Sequence, residues 1–295
     1  MLWATSDLDL AYRTLLENLL GLPPGPAPRG QATREMINGQ FWFDGSRPAL
    51  NMPARDLNYR FMVAEFVWIL FGLDDLAVLT QYNSKMAQFS DDGLTLAGAY
   101  GTRVARYLPY VVRTLLADRD SRQAVIPVFD DKATRPSKDV PCTLDLAFYV
   151  RHEIVHVAAF MRSSDVWLGV PYDAFTFAML GHVVAAAIRA KGVGTVCITA
   201  GSQHTYDANR DAILKALETS RGVQTAAYRA VPNGAPLWLP AHASGRLELP
   251  WAMVDILTKP AIAEVDAVPP SWRALARCLA AKTSAEARGV LASLG

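Results

Sequence analysis

Hydrophobic residues recur along this chain with two periods, and the change of period predicts its helices and strands. Apolar residues repeat every three to four positions, the period of a helix, in segments 1–20, 58–73, 105–121 and 172–190. Segments rich in β-branched and aromatic residues, which favour strands, are 36–45, 122–131, 142–162 and 194–206. A charged turn at Arg151 to Glu153 divides the third of these into two strands. A further helix is predicted from about Ala208, and no element is predicted beyond about residue 220.

The order of these elements predicts the α+β fold class. A Pro/Gly-rich connector, 21–30, separates the first helix from the rest. No internal repeat and no shift of composition divides the remainder, so we expect a single domain over 1–295. A chain of 295 residues with 51% hydrophobic residues is long enough to bury one large core.

Charge and cysteine content then narrow the function classes. The formal net charge is +1, which is too small to attract nucleic acid or an anionic membrane, so neither is expected as a partner. The three cysteines are widely spaced and predict neither a disulfide framework nor a metal cluster. The N-terminus lacks the order of a signal peptide, and we see no apolar run long enough to suggest a membrane span. These features favour a cytoplasmic protein that needs no metal.

Several polar residues stand where chemistry is possible, but each has a structural alternative. Cys142 follows a proline and opens a strand, which suits a nucleophile, although free cysteines are more often small buried hydrophobic residues. Glu65 lies in an apolar helix and is either functional or a paired structural acid. Arg162 is typically a surface charge, and His204 with Tyr206 typically forms a polar strand end. Residue type alone leaves both interpretations open.

Taken together, the order and spacing of these residues resemble the thymidylate synthase superfamily. The matching positions are Arg29 in PRGQATREMINGQ, Glu65 in AEFVW, Tyr100 in GAYGTR, Arg122 in DSRQAV, Cys142 in PCT, the block RSSDVWLGVP and the segment GSQHTY. The block R-S-x-D-x-x-L-G-x-P is specific. The interval from Cys142 through Arg162 to Asp173 matches the family without an insertion or deletion. The resemblance implies a mixed β-sheet flanked by helices, with two sheets packed at a homodimer interface.

The resemblance assigns the nucleophile and the phosphate site. Cys142 corresponds to the thiolate that adds to C6 of a pyrimidine nucleotide and makes C5 nucleophilic. Arg29, Arg162 and Ser163 correspond to the groups that bind the 5′-phosphate. Arg162 is also expected to lower the pKa of the Cys142 thiol.

A further arginine is implied to come from the neighbouring subunit. Arg122 matches that residue, which implies an obligate homodimer. Gln123 stands where the family has a second arginine, so Lys132 is the candidate that restores the lost charge.

The remaining roles concern the sugar, the proton and the one-carbon donor. His204 and Tyr206 resemble the pair that binds the sugar 3′-hydroxyl, while Glu65 and Tyr100 resemble the residues that order water and move protons. The implied cosubstrate is 5,10-methylenetetrahydrofolate. The residues expected on the folate side are Asp165, which also contacts the base, Gly169 and Glu65.

Asp173 departs from the synthases, which carry asparagine at this position. An amide suits uracil, whereas a carboxyl group accepts from the 4-amino group of cytosine and hydrogen-bonds to or protonates N3. The same replacement marks the cytidylate and deoxycytidylate hydroxymethylase branch. The alternative is drift in an inactive homologue.

Two further departures favour hydroxymethylation over methylation. Thr143 replaces a histidine that supports the network around uracil O4. Tryptophans that shield the methylene carbon in synthases are missing, and the nearest positions are Ala87 and Ser90, so water is expected to reach that carbon.

These departures predict 5-hydroxymethylation of a cytosine nucleotide. The alanine-rich sequence, with the segments FDDKATRP and PYDAF, resembles the cytidylate hydroxymethylases of mildiomycin-type antibiotic pathways more than the phage deoxycytidylate enzymes, and this resemblance implies CMP as the substrate. Small Ala174, beside Asp173, is expected to leave room near the sugar. Three alternatives stay open: a dCMP hydroxymethylase, a methylating enzyme that releases dihydrofolate, and a non-catalytic nucleotide-binding regulator that does not need Cys142.

Overall fold

The computed structural model describes residues 7–130, 135–220, 248–260 and 264–292. Its helices are α1 Leu8–Leu20, α2 Tyr59–Leu70, α3 Leu76–Thr80, α4 Tyr100–Ala117, α5 Val170–Ala187, α6 Arg210–Thr219, α7 Ala252–Thr258, α8 Arg273–Ala280 and α9 Ser284–Ala292. Its strands are β1 Thr33–Asp44, β2 Val125–Pro127, β3 Thr143–Arg151, β4 Ile154–Asp165 and β5 Gly192–Tyr206.

The five strands form one mixed sheet in the order β1-β5-β4-β3-β2. β4 and β5 run parallel because α5 connects them, and the other neighbours are antiparallel. The charged turn between β3 and β4 is confirmed. His152 and Glu153 both adopt positive φ angles there, of 53° and 64°, as a tight hairpin turn requires. The predicted mixed sheet flanked by helices is thus confirmed.

α5 is the central helix of the core. Every residue in it is buried except Tyr172 and Asp173 in its first turn. The helix is long and apolar enough to cross a membrane, which corrects the expectation that no such run exists. Its burial inside the domain explains this composition, because a helix that is apolar on all sides belongs in a core.

One face of the sheet lies against helices, and the opposite face is only partly covered. Phe160 on that opposite face is 41% exposed. Such apolar exposure is typical of a surface that another chain covers. That two subunits pack sheet against sheet here stays a prediction.

The last helices lie against α2, a packing that the sequence did not reveal. Ser284 accepts a hydrogen bond from the backbone N–H of Tyr59 and donates one to the carbonyl of Leu57. Arg60 donates to the carbonyl of Leu279 at 3.3 Å. The C-terminal helices therefore hold the start of α2, the helix that carries Glu65.

Candidate active site

Cys142 lies immediately before β3, beside the end of β4. The backbone N–H of Arg162 donates to the carbonyl of Cys142 at 2.8 Å. The guanidinium of Arg162 lies 3.6 Å from the thiol sulfur, and the hydroxyl of Ser163 lies 3.7 Å from it. The arrangement places a fixed positive charge and a hydroxyl donor at the sulfur, where a thiolate needs both.

Arg162 is held in place by the segment that precedes Cys142. Its Nε donates to the carbonyl of Pro141 and its Nη2 to that of Val140, each at 2.9 Å. Its Nη1 donates to the Ser163 hydroxyl at 3.3 Å. One N–H of Nη1 is left over on an exposed side chain. That N–H can donate to a phosphate oxygen, and the Ser163 hydroxyl can do so only in place of its bond to the sulfur, because it has a single O–H.

The pKa of the Cys142 thiol lies above its ordinary value in the ligand-free chain. Burial is the largest cause, and the charge of Arg162 and the Ser163 hydrogen bond act against it. Asp173 and Asp139 raise the pKa further. The sequence prediction had the sign of the Arg162 effect right, but burial outweighs it.

Tyr100 opens α4 and reaches Thr143, the residue after Cys142. The backbone N–H of Thr143 donates to the Tyr100 hydroxyl oxygen at 3.3 Å, and the Thr143 hydroxyl donates at 3.1 Å. Burial first, and then the charges of Asp173 and Cys142, raise the pKa of Tyr100. Tyr100, Cys142 and Asp173 are therefore close neighbours, as the resemblance implied.

Glu65 and Asp173 bring two acids to this cluster from two apolar helices. Glu65 retains exposed surface in the middle of α2, where its neighbours are buried, and Asp173 does so in the first turn of α5. Burial, followed by the charge of Asp173, raises the pKa of Glu65 to about 8. Burial, followed by the charge of Asp165, raises the pKa of Asp173 to about 7.

Neither acid has a hydrogen-bond partner for its carboxyl group among the described residues. A half-buried acid without a partner is unfavourable when it is charged, so the pair is better explained by a ligand than by stability. Gly169 makes room for Asp173, since a Cβ atom at Gly169 would lie 3.3 Å from its carboxylate oxygen.

Asp165 shapes the turn between β4 and α5. One of its carboxylate oxygens accepts from the backbone N–H groups of Trp167 and Leu168, each at 2.9 Å. Burial nonetheless raises the pKa of Asp165. Gly169 closes the turn by donating to the Asp165 carbonyl. The other carboxylate oxygen of Asp165 has no hydrogen bond in the described structure. Leu168, beside Asp165, is 52% exposed.

His204 and Tyr206 lie on one face of β5, with their rings edge to face at 5.3 Å. Asp165 is the β4 partner of His204 in the sheet, so the predicted sugar and base residues are adjacent. Glu35 on β1 is a further residue of this site that the sequence did not reveal. It is the β1 partner of His204 in the sheet. Glu35 accepts from the Ser202 hydroxyl, and that hydroxyl lies 3.4 Å from Nδ1 of His204. No local signal marked Glu35, because Thr33, Arg34 and Glu35 are consecutive polar residues without strand alternation.

The other predicted residues lie outside this cluster. Arg29 is exposed in the loop before β1, with φ at 54°, and Arg122 is exposed before β2. Neither contacts the cluster in the described structure, and Lys132 lies outside the described residues. Ala174 is fully buried, so the expectation that it lines the sugar site is wrong.

Ala87 and Ser90, the positions nearest to the missing tryptophans, differ in their exposure to solvent. Ala87 is exposed, as water access needs. Ser90 is buried, and its hydroxyl lies 2.7 Å from the carbonyl oxygen of Thr95 and 3.1 Å from Asp92, of which it can donate to one at a time. Ser90 is therefore a turn residue, and the access of water past these two positions stays a prediction.

The family profile of thymidylate synthase matches residues 15–228, which include every residue of the cluster. The chain belongs to the thymidylate synthase family. It is similar to the deoxyuridylate hydroxymethyltransferase of Bacillus phage SP01, with 33% identity over 177 residues, 54% of this chain and 46% of the relative. It is also similar to the protein of the same name from Pseudomonas phage M6, with 32% identity over 143 residues, 45% of this chain and 41% of the relative. Each match spans less than half of the relative.

Enzymes of this family use a nucleotide as substrate and methylenetetrahydrofolate as cosubstrate. In residues 7–130, 135–220, 248–260 and 264–292, no three His, Cys, Asp or Glu side chains are grouped as a metal site requires.

Proposed function

We propose that this chain is a nucleotide 5-hydroxymethylase that acts on cytosine, with CMP as its substrate and 5,10-methylenetetrahydrofolate as its cosubstrate. The observation that carries the choice of base is the unpartnered carboxyl group of Asp173, whose pKa of about 7 leaves it partly protonated near neutral pH. The names of the two phage relatives support transfer of a hydroxymethyl group.

Cys142 is the nucleophile in this proposal. Its sulfur adds to C6 of the base, and the electrons move through C5 and C4 toward N3. A bound dianionic phosphate reached by Arg162 and Ser163 holds the nucleotide so that C6 faces the sulfur. Deprotonation of Cys142 is favoured by Arg162 and opposed by burial.

Asp173 completes the addition by supplying a proton to N3. A neutral carboxyl group donates to N3 of cytosine while its second oxygen accepts from the 4-amino group. The high pKa arises because the site is buried and Asp165 is near, so the proton is available without strong acid. Asp173 thereby serves both base binding and the chemical step.

Glu65 and Asp165 fit the folate side. Methylenetetrahydrofolate supplies the one-carbon unit when bound. Asp165 offers a free carboxylate oxygen next to the exposed Leu168, which suits a ring with N–H donors on an apolar face. Glu65 is protonated over most of the neutral range, so it can give a proton to a leaving amine and later orient water at the methylene carbon.

Uracil is the second candidate base, with dUMP as the nucleotide. Both phage relatives carry the name deoxyuridylate hydroxymethyltransferase. A neutral Asp173 can also pair with uracil, because its carbonyl accepts from N3–H and its hydroxyl donates to O4. The two candidates differ in whether N3 must receive a proton during the addition.

The test is to incubate the purified chain with methylenetetrahydrofolate and each of CMP, dCMP, UMP and dUMP, and to measure the product masses. The proposal expects CMP to gain one hydroxymethyl group with release of tetrahydrofolate. A methyl product with dihydrofolate would assign a synthase activity instead. Product from dUMP alone would establish the second candidate, and Cys142→Ala is the negative control.

A further inference from the structure

Asp139, which the roles above leave unused, joins the two segments that carry Cys142 and Tyr100. It precedes Cys142 by three positions. Its carboxylate oxygen Oδ2 accepts a hydrogen bond from the backbone N–H of Gly98 at 2.8 Å. Gly98 precedes Tyr100 by two positions, so one bond connects the approach to the nucleophile with the approach to the tyrosine.

The contact at Gly98 is closer than any other residue allows. A Cβ atom at that position would lie 2.7 Å from the carbonyl oxygen of Asp139 and 3.0 Å from its carboxyl carbon. The nearest atom belongs to the backbone, so a side chain there must push the two segments apart. The glycine is therefore required by the approach of Asp139.

Two further links lie on either side of this one. Asp91 accepts from the Ser137 hydroxyl at 2.6 Å and from the backbone N–H of Lys138 at 3.0 Å. At the other end, the Tyr100 hydroxyl accepts from Thr143. The bond between Asp139 and Gly98 is the middle one of these three links. It lies close in sequence to both Cys142 and Tyr100 but involves neither residue.

The segment that donates to Asp139 is held firmly from its other side. Buried Arg103 donates to the carbonyls of Ala97 and Ala99, at 3.2 and 2.8 Å. Arg103 also forms an ion pair with Asp130 at 2.7 Å. Because Arg103 fixes the carbonyls on both sides of Gly98, the Gly98 N–H points to Asp139 with little freedom.

We propose that Asp139 is a positioning residue of the active site, which fastens the segment that carries Cys142 to the segment that carries Tyr100. The inference rests on the proposed role of Cys142 as the nucleophile. It adds a second effect, since the negative charge of Asp139 acts on the thiol. The groups that face Cys142 are Arg162 and Ser163 on β4, Tyr100 on α4, Asp173 on α5 and Asp139 on its own segment.

Two variants separate the bond from the charge. Asp139→Asn keeps an oxygen that accepts from Gly98 but removes the charge, whereas Asp139→Ala removes both. The matched control is Asp145→Asn, because Asp145 follows Cys142 at the same separation and its carboxyl group forms no hydrogen bond in the described chain. Gly98→Ala tests the same contact from the other side, with Gly289→Ala as its control because a Cβ there meets open space.

Two measurements need no substrate, so they stand even if the assigned nucleotide is wrong. The first is the pH dependence of iodoacetamide alkylation at Cys142, followed by mass spectrometry of its peptide. The second is hydrogen exchange of the peptide that contains Gly98. In both Asp139 variants we expect alkylation near pH 7 to be about two- to fivefold faster, since a thiolate no longer faces that charge.

Exchange at Gly98 distinguishes the two Asp139 variants. We expect wild-type protection in Asp139→Asn and loss of at least about tenfold in Asp139→Ala and Gly98→Ala, with no change in either control. Equal exchange in Asp139→Asn and Asp139→Ala would overturn the proposed bond. Unchanged alkylation in both Asp139 variants would overturn the effect on the nucleophile.

Discussion

Asp173 on α5 faces Glu65 on α2 closely enough that its charge adds to burial in raising the pKa of Glu65 to about 8. Asp165 acts on Asp173 in the same way. Glu65, Asp173 and Asp165 therefore form a row of neighbouring acids, and Asp173 in the middle of the row also acts on Cys142. No cation lies between Glu65 and Asp173 in the described structure. Such crowding opposes folding above neutral pH, and it provides protons that the proposed reaction uses.

The first prediction concerns stability. The folded pKa values of Asp173 and Glu65 lie above the ordinary values of 3.8 and 4.5, so their favourable contribution to stability is fully present only below about pH 4. It is lost progressively as the pH rises from there through the folded values of about 7 and 8. Asp173→Asn removes that loss. We expect it to raise the Tm of the ligand-free protein by about 2–4 °C near pH 8 and by much less near pH 5. Asp211→Asn, on the exposed side of α6, is the control, and an equal gain at both pH values would contradict the account.

The second prediction concerns the nucleophile. Cys142→Ala should abolish turnover and tritium release from C5, because no thiolate can add to C6. Binding of CMP should stay within about tenfold of wild type, because the phosphate and base contacts remain. Binding is measured by calorimetry. Retained tritium release in this variant would remove Cys142 from the mechanism.

The third prediction concerns assembly. Arg122 is exposed and does not contact the cluster in the described structure, which suits a residue that acts on a neighbouring subunit. Arg122→Ala and Cys142→Ala should each be inactive alone, and mixing them should restore activity, since one site of the heterodimer keeps both residues. Up to about a quarter of wild-type activity is expected for random exchange. If subunit exchange is demonstrated and activity stays absent, the site is not shared.

The fold was largely predictable, because its helices and strands have clear periods and the β3–β4 turn has a local charge signal. The helix predicted from 105 begins at Tyr100, and the strand predicted over 122–131 is the short β2. Helices α7 to α9 were not predicted, because each has only 7 to 9 residues and its pattern therefore spans too few turns to be recognised without the packing on α2.

Which residues lie together in the cluster was predictable where a residue matched the family pattern. It was not predictable where the position depends on helix orientation, sheet register or the approach of a loop. Cys142, Arg162, Ser163, Tyr100 and Asp173 converge as expected. Ala174 was misplaced because a position next to Asp173 on a helix points elsewhere. Glu35 and Asp139 were missed because their partners are distant in sequence and reach them only through sheet register or loop approach.

Asp173→Asn addresses the base directly. The amide can pair with N3–H and O4 of uracil, but it cannot give N3 of cytosine the proton that the addition needs. Loss of a charge-assisted bond and of that proton should cost cytidylate roughly 2–4 kcal/mol, about 30- to 1000-fold in kcat/KM. General damage to the site would instead depress both bases alike.

The measurement that tests the central claim is kcat/KM for CMP and for UMP, in wild type and in Asp173→Asn, under one set of conditions. The account predicts that wild type prefers CMP and that the variant shifts the ratio toward UMP by at least about 30-fold. An unchanged ratio would contradict the account, because it would mean that Asp173 does not recognise the base.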